Sequence, residues 1–313
     1  MTQLPFIEAD VEKSYEEAEF VILPIPYEAT TTYRKGCEQG PEAILRASPQ
    51  LECYDVELKR EICFETAIHT HEPVADTRER PDLPPAQMVQ IVKETVSRLL
   101  ADGKFAIALG GEHGITVGLV AAYQEFLNEP FTVVQIDAHG DLRYQYEGSI
   151  YNHACAMRHV VEMGLPTLQV GIRSICQEEA TLIQEKQLPI VWAEDIVQNP
   201  HWIESAIAKI ATPKVFVTLD LDGLDPSVMP GVGTPQPGGL NWYDLTRFLK
   251  HLFDSRTVVG CDVMELAPTS DSVVSEFTAA KLVYKLIGYK FQSARPNRNF
   301  SLDLSASRKT GER

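Results

Sequence analysis

The chain has 313 residues and a formal net charge of −16 at pH 7, which disfavours a nucleic-acid backbone as a partner and favours a small cationic ligand. No apolar run reaches the roughly 18 residues of a membrane span, and residues 1–10 carry acids instead of a basic, apolar signal pattern. The cysteines include no C-x-x-C pair, which argues against a zinc knuckle or a disulfide framework. We therefore predict a cytoplasmic protein that has neither nucleic acid nor a membrane as a partner.

Apolar runs and helical patterns alternate along most of the chain. A short apolar run that ends in prolines lies at 20–26, and further apolar runs predict strands at 105–109, 131–136, 168–172, 189–192, 215–219 and 258–263. Helical patterns predict a helix beginning at Pro41 and others over 86–101, 114–127, 153–162, 176–186, 201–209, 242–253 and 272–287. This alternation is typical of an α/β fold with a mostly parallel sheet that helices cover on both faces. We expect one domain over residues 1–291 and a polar C-terminal tail over residues 292–313.

The most informative stretch is Asp137-Ala138-His139-Gly140-Asp141, which follows the predicted strand at 131–136. Side chains two apart in an extended chain point to the same face, so its three polar groups can converge on one point. Asp220 and Asp222 have the same spacing after the strand at 215–219. One Asp-x-Asp pair is usually a helix cap or a solvated turn. Two such elements after apolar strands predict the two halves of a dinuclear metal site.

Other polar residues follow predicted strands, and in open parallel sheets ligands bind beyond the carboxyl ends of the strands. His113 comes after Gly110-Gly111-Glu112, and Glu265 comes after the strand at 258–263. Taken singly, His113 would be a structural histidine and Glu265 an ordinary loop acid. At a shared sheet edge they become candidates for a metal ligand and for a group that holds a cation. His153 opens a predicted helix, where it could cap or pack, but its pKa near neutrality also suits an acid or base.

The candidate metal ligands are imidazoles and carboxylates, namely His113, Asp137, His139, Asp141, Asp220 and Asp222. Such a set suits manganese, magnesium, iron or nickel and gives no reason to choose zinc. Two divalent cations would match the charge of the four carboxylates and bring the net charge from −16 to −12. Without cations, four carboxylates close together would repel one another or take up protons. Two metals roughly 3.5–4 Å apart can share a water and lower its pKa, which indicates hydrolysis.

The motifs together resemble the arginase/agmatinase (ureohydrolase) family. The stretches that carry the resemblance are 110–113, 137–143, 152–158, 219–226, 230–235 with 238–240, and 262–265, in the order of the family and within residues 20–289. The resemblance implies a three-layer α/β/α arginase-like fold with a mostly parallel central sheet. It also implies a homo-oligomer, either a trimer or a hexamer.

Carried over residue by residue, the resemblance implies two manganese ions per subunit, with nickel as an alternative. One ion would be held by His113, Asp137, Asp141 and Asp220, and the other by Asp137, His139, Asp220 and Asp222. His153 matches the proton-shuttling histidine of the family, and Glu265 matches the acid that grips the guanidinium of the substrate.

The substrate that the resemblance favours is agmatine, which would give putrescine and urea in polyamine biosynthesis. Leu142-Arg143 after Asp141 and the loop at 26–36 resemble the agmatinase branch. Gly114, Val232 and Gln236 depart from the usual residues of the family, so guanidinobutyrate, guanidinopropionate, free guanidine and arginine stay open as substrates. Two alternatives from other classes are a single-zinc deacetylase of related fold and a non-catalytic metal-binding oligomer.

Overall fold

A parallel sheet of eight strands forms the centre of the protein, whose computed structural model describes residues 4–8 and 10–295. Its strands follow the order β4-β1-β5-β10-β9-β6-β7-β8, and every pair of neighbours is parallel. A separate antiparallel hairpin is formed by β2 and β3. The strands are β1 (Phe20–Ile25), β2 (Tyr54–Asp55), β3 (Arg60–Glu61), β4 (Ile68–Thr70), β5 (Phe105–Gly110), β6 (Thr132–Ile136), β7 (Thr167–Ile172), β8 (Ile190–Trp192), β9 (Lys214–Asp220) and β10 (Thr257–Met264).

Helices cover both faces of this sheet. They are α1 (Gly40–Ala47), α2 (Pro85–Ala101), α3 (Thr116–Leu127), α4 (Ala156–Glu162), α5 (Gln177–Lys186), α6 (Ala193–Gln198), α7 (Trp202–Ala208), α8 (Trp242–Ser255) and α9 (Val274–Ser293). Alternate side chains of β5 enter two different cores, because successive residues of a strand point to opposite faces. Ala106 and Ala108 pack with the apolar stripes of α2 and α3, whereas Ile107 and Leu109 pack with those of α8 and α9. The predicted three-layer α/β/α fold is therefore confirmed.

The predicted strands and helices correspond to observed elements, with ends that differ by at most three residues, except that α9 ends six residues beyond the predicted 287. The helices predicted at 114 and 153 each begin with a short 3-10 turn, at His113–Ile115 and His153–Cys155, before the α-helix starts. The edge strand β4 and the β2–β3 hairpin were not predicted, because strands of two or three residues are too short to show alternation. Helix α6 was not predicted either, because its six residues make fewer than two helical turns. Helix α9 ends at Ser293, and residues 296–313 of the predicted tail lie outside the described residues.

Four neighbouring strands of the sheet, β5, β10, β9 and β6, end at the same edge. These are the strands after which the sequence places its candidate metal and substrate residues. Within residues 4–8 and 10–295, no helix is both long and apolar enough to cross a membrane.

Candidate metal centre and active site

The structure brings all of the predicted site residues together at this edge of the sheet. His113 lies in the 3-10 turn after β5, and Glu265 directly follows β10. Six of the predicted residues line a cavity of about 250 Å³, namely His139, Asp141, His153, Asp220, Asp222 and Glu265. The other two, His113 and Asp137, are 1% and 0% exposed and lie against these residues.

His113 faces three carboxylates with one ring nitrogen. Its Nδ1 lies 3.0 Å from Asp137 Oδ2, 2.9 Å from Asp141 Oδ2 and 3.3 Å from Asp220 Oδ2. Two atoms that each lie about 2.1 Å from one metal at right angles are themselves about 3 Å apart. These distances therefore match the spacing of ligands around a single ion.

A second group of ligands lies beside the first and shares Asp137 with it. His139 Nδ1 lies 3.0 Å from Asp222 Oδ2 and 3.6 Å from Asp137 Oδ1. The ligand atoms of His113, Asp137 and Asp141 are close enough to hold one ion, and so are those of Asp137, His139 and Asp222. Because the two oxygens of Asp137 belong to different groups, the arrangement offers two adjacent metal positions. A single-zinc site would need only one of them.

The hydrogen bonds of His113 decide what its Nδ1 can bind. The hydroxyl of Thr218 donates to Asp262 Oδ1 at 2.7 Å, so it accepts a hydrogen bond from His113 Nε2 at 2.8 Å. Thr116 donates to the other oxygen of Asp262 at 3.0 Å. In the neutral imidazole this network leaves a lone pair on Nδ1, which is buried and has no hydrogen-bond partner in the described part of the chain. A lone pair that faces three carboxylate oxygens fits a cation between them.

Short-range hydrogen bonds fix the rotamers of the aspartates. The backbone N–H of His139 donates to Asp137 Oδ1 at 2.6 Å, and the N–H of Asp222 donates to Asp220 Oδ1 at 2.8 Å. Both contacts are turns in which an Asp side chain accepts from the backbone two residues later. Asp141 has a φ of 51°, in the left-handed region, which is more accessible to Asp than to most residues with a side chain. The D-x-H and D-x-D spacings therefore orient the ligands as well as bringing them together.

Excess negative charge governs the pKa values of the cluster. Burial alone would lower the pKa of His139, but the larger effect of Asp137 and Asp222 raises it to about 12. Burial and then the charge of Asp137 raise the pKa of Asp141 to about 6. The pKa values of Asp220 and Asp222 are also raised, first by burial and then by neighbouring carboxylates. The cluster therefore favours the uptake of positive charge, either as protons or as metal ions.

Several supporting residues were not predicted from the sequence. Thr234 lines the cavity and donates to Asp222 Oδ2 at 3.1 Å. Gln135 donates to Asp137 Oδ2 at 2.6 Å and accepts a hydrogen bond from Gln169, whose side chain also donates to a backbone carbonyl at 2.7 Å. The available signal was a polar residue inside an apolar strand, as at Gln135, Gln169, Thr218 and Asp262. Such buried polar groups need partners, and here the partners lead to the candidate metal ligands.

Arg173 is a further residue that the sequence analysis missed. Its guanidinium donates to the backbone carbonyls of Asp222 at 2.7 Å and Gln236 at 2.8 Å, and to four other carbonyls at 3.1–3.3 Å. These bonds hold the turn that carries Asp222 against the loop that carries Thr234. Because all five N–H groups of Arg lie in one plane, a single side chain can join both segments.

Glu265 and His153 form the part of the site next to the metal ligands. Glu265 has a φ of 67°, and its Oε1 accepts the backbone N–H of His113 at 2.8 Å. His153 Nδ1 lies 3.6 Å from the same oxygen, while its buried Nε2 has no hydrogen-bond partner among the described residues. Burial lowers the pKa of His153, but Glu265 and the more distant Asp141 and Glu112 raise it to about 9. A histidine with this pKa can hold a proton at neutral pH and release it to a substrate.

We expect a chelator to lower the melting temperature of the protein, because divalent cations would bind the folded site and not the unfolded chain. At a free concentration one hundred times the dissociation constant, an ion stabilises the fold by about 2.7 kcal/mol per site. Thermal unfolding followed by circular dichroism, in chelator and then in excess Mn²⁺, measures the difference. The same melting temperature in both conditions would contradict a metal site here.

Comparisons with known proteins identify the family. The profile of the arginase family matches residues 18–288. The chain is 57% identical over 290 residues to the N(1)-aminopropylagmatine ureohydrolase of Synechocystis sp., covering 93% of this chain and 95% of that protein. It is 37% identical over 276 residues to the protein of the same name from Thermus thermophilus, covering 88% of this chain and 92% of that protein. The crystal structure of agmatine ureohydrolase of Thermoplasma volcanium superimposes with a TM-score of 0.80 at 31% identity, covering 95% of this chain and 97% of that one. The chain therefore belongs to the arginase family.

Proposed function

We propose that this protein hydrolyses the guanidino group of N(1)-aminopropylagmatine to urea and leaves the triamine spermidine, with agmatine as a second substrate. The main observation that supports this hydrolysis is a pair of candidate ligand groups that share Asp137 and lie beside Glu265 and His153. The choice of substrate is supported by the relative that is 57% identical over nearly the whole chain, which is named for aminopropylagmatine. Agmatine, the substrate that the sequence favours, is the same molecule without the aminopropyl group.

Glu265 would bind the guanidinium of the substrate. One of its oxygens accepts the N–H of His113, and no described residue donates a hydrogen bond to Oε2. A guanidinium presents N–H groups in a plane, so it can donate to this oxygen with a charge-assisted hydrogen bond. That bond would place the guanidinium carbon above Asp220 and Asp222, which line the same cavity.

His153 would supply the proton that the leaving amine needs. Water adds its oxygen to the guanidinium carbon and gives up its two protons, while the bond from this carbon to the alkyl nitrogen breaks and that nitrogen takes up two protons, so the amine leaves as an ammonium ion. His153 donates one of these protons and is reprotonated by a proton from the water. His153 lines the cavity, and its pKa of about 9 keeps it protonated at neutral pH. Proton transfer by a positioned side chain typically contributes 10²- to 10⁴-fold to the rate.

The ligand groups suit two manganese ions, with nickel as the alternative, because hard carboxylate oxygens and imidazole nitrogens favour such metals. When bound, the two ions would polarise the attacking water and lower its pKa. The aspartates and histidines of the site would hold both ions and balance their charge. The assembly into a trimer or hexamer and the cytoplasmic location stay predictions.

We expect kcat/KM for N(1)-aminopropylagmatine to exceed that for agmatine by roughly ten- to a hundredfold. The longer substrate carries one more ammonium group than agmatine, and this group can make one more charge-assisted hydrogen bond, worth about 1.5–3 kcal/mol. Urea release from both substrates, measured with Mn²⁺ and then with Ni²⁺, gives the ratio and the better metal. Guanidinobutyrate and arginine, which carry a carboxylate, are the controls. Faster turnover of either control would overturn the proposed substrate class.

A further inference from the structure

The Gly-Gly-Glu-His stretch contains one acid, Glu112, that belongs to neither ligand group. Its side chain is fully buried, yet no cationic side chain pairs with it among the described residues. Its Oε2 accepts the backbone N–H groups of Ala29 at 2.7 Å and Thr30 at 2.6 Å, and its Oε1 accepts the hydroxyl of Thr30 at 2.8 Å. Three hydrogen bonds from one short segment compensate the burial of this carboxylate. Glu112 therefore fastens the loop after β1 to the turn that carries His113.

Thr30 makes further contacts on its other side. Its hydroxyl oxygen accepts the backbone N–H of His153 at 2.9 Å, and its carbonyl accepts the side chain of Asn152 at 3.2 Å. Asn152 in turn caps the 3-10 turn at His153 by accepting the N–H of Ala154 at 2.9 Å. Because the hydroxyl of Thr30 has one proton, which it donates to Glu112, its oxygen is free to accept from His153. One hydroxyl therefore links Glu112 to the backbone of His153.

Two glycines permit this close approach. A Cβ at Gly111 would lie 2.0 Å from the carbonyl oxygen of Tyr27, and a Cβ at Gly114 would lie 3.3 Å from the carbonyl oxygen of Tyr151 and 3.4 Å from Glu112 Oε1. The segment of Tyr27 would have to move away to accommodate a side chain at Gly111, whereas at Gly114 a shift of a few tenths of an ångström would suffice. The glycines around His113 therefore keep the turn after β5 in direct contact with the segments that hold Thr30 and His153.

We propose that Glu112 and Thr30 are positioning residues that fix the backbone of His153, and with it the proton donor, beside the metal ligands. This inference rests on the proposed function, because it takes His153 to be the donor. The loop that Thr30 anchors also brings Thr32 to the wall of the cavity. Glu112 and Thr30 would act through His153 and would not touch the substrate themselves.

Thr30→Val removes the hydroxyl and keeps the shape of the side chain. In the metal-loaded full chain, we expect kcat for urea release from agmatine to fall roughly ten- to a hundredfold, since a misplacement of about 1 Å can cost 10²-fold. KM should stay within about threefold of the wild-type value, and the metal content should stay at two ions per chain, because the variant changes neither the substrate-binding residues nor the candidate metal ligands. Hydrogen exchange of the peptide covering residues 150–157 should become faster. Thr30→Ser, which retains the hydroxyl, should restore kcat and the slow exchange.

Thr31→Val is the matched control. Thr31 lies next to Thr30 in the same loop and donates its hydroxyl to Glu28 at 2.6 Å, whereas the backbone N–H of His153 donates to Thr30. Thr31→Val should therefore leave kcat and exchange at 150–157 close to the wild-type values. An equal loss of kcat in Thr31→Val, or wild-type kcat and exchange in Thr30→Val, would overturn the proposal. If Thr30→Val does not fold, Thr30→Ala removes the same hydroxyl without a methyl beside the carboxylate and must give the same result.

His153→Asn separates this inference from the proposed function. Wild-type urea release in His153→Asn would show that His153 is not the proton donor. Exchange at 150–157 in the Thr30 variants would still show whether the hydroxyl holds this segment, and unchanged exchange there would overturn the link by itself.

Discussion

Asp222→Ala is expected to reduce bound metal from two ions to one per chain and to lower urea release roughly 10³-fold. Asp222 Oδ2 lies 3.0 Å from His139 Nδ1, and the variant loses this carboxylate, whereas Asp137 Oδ1 lies farther from the same nitrogen, at 3.6 Å. The group around His113 keeps its own ligands. Loss of one cation would remove several kcal/mol of stabilisation from the transition state. Metal analysis of the purified variant and a urea assay measure both effects.

The controls separate loss of metal from loss of fold. Asp254→Ala makes the same change on the exposed face of α8, where Asp254 pairs with Lys250 at 2.7 Å, and should keep both ions and full activity. In chelator, the free energy of unfolding of Asp222→Ala should lie within about 1 kcal/mol of the wild-type value. The lost hydrogen bonds from Ala138 and Thr234 are offset by less repulsion among the carboxylates. Full metal content with wild-type urea release would show that Asp222 is not a ligand.

The fold was largely predictable because its signals are local and repeated. Strands such as β6 and β9 are mostly apolar, since both faces of the sheet are buried, and polar residues at a spacing of two stand at or just after the end of each. The rule that ligands bind at the carboxyl ends of parallel strands then placed residues from distant parts of the sequence at one edge. What could not be predicted from local pattern was the strand order, in which β10 lies between β5 and β9. That order is what brings Glu265 against His113.

The supporting residues of the site were harder to predict, because their roles depend on contacts across the sheet. Asp262 reaches His113 only through Thr218 on the neighbouring strand. Arg173 acts on backbone carbonyls, which carry no sequence signal. Glu112 was visible within a motif, but nothing in the sequence indicated that it binds the loop after β1. Candidate metal ligands can be recognised in the sequence by residue type and spacing. The residues that position these ligands can be recognised only from three-dimensional contacts.

Glu265→Gln is expected to lower kcat/KM for the guanidino substrate roughly 30-fold to several thousandfold while both metals stay bound. The amide keeps the size of the side chain and can still accept the N–H of His113, which lies 2.8 Å from Oε1. It loses the negative charge that would pair with the guanidinium, and breaking a buried charged pair typically costs about 2–5 kcal/mol. Glu265 is not a member of either ligand group, so metal content should stay at two ions per chain. Steady-state kinetics and metal analysis of the same preparation test both statements.

The pH profile of Glu265→Gln gives an independent measurement. Burial lowers the pKa of His153, and its polar contact with Glu265, followed by the charge of that residue, raises it to about 9. Because the protonated form donates to the leaving amine, activity is lost as pH rises through this pKa, and without Glu265 the loss should begin at lower pH. Glu79→Gln, a change on the exposed surface, should alter neither kcat/KM nor the profile. A Glu265→Gln variant that has lost metal would make Glu265 part of the metal site, and one with wild-type kcat/KM would mean that the guanidinium is held by other residues.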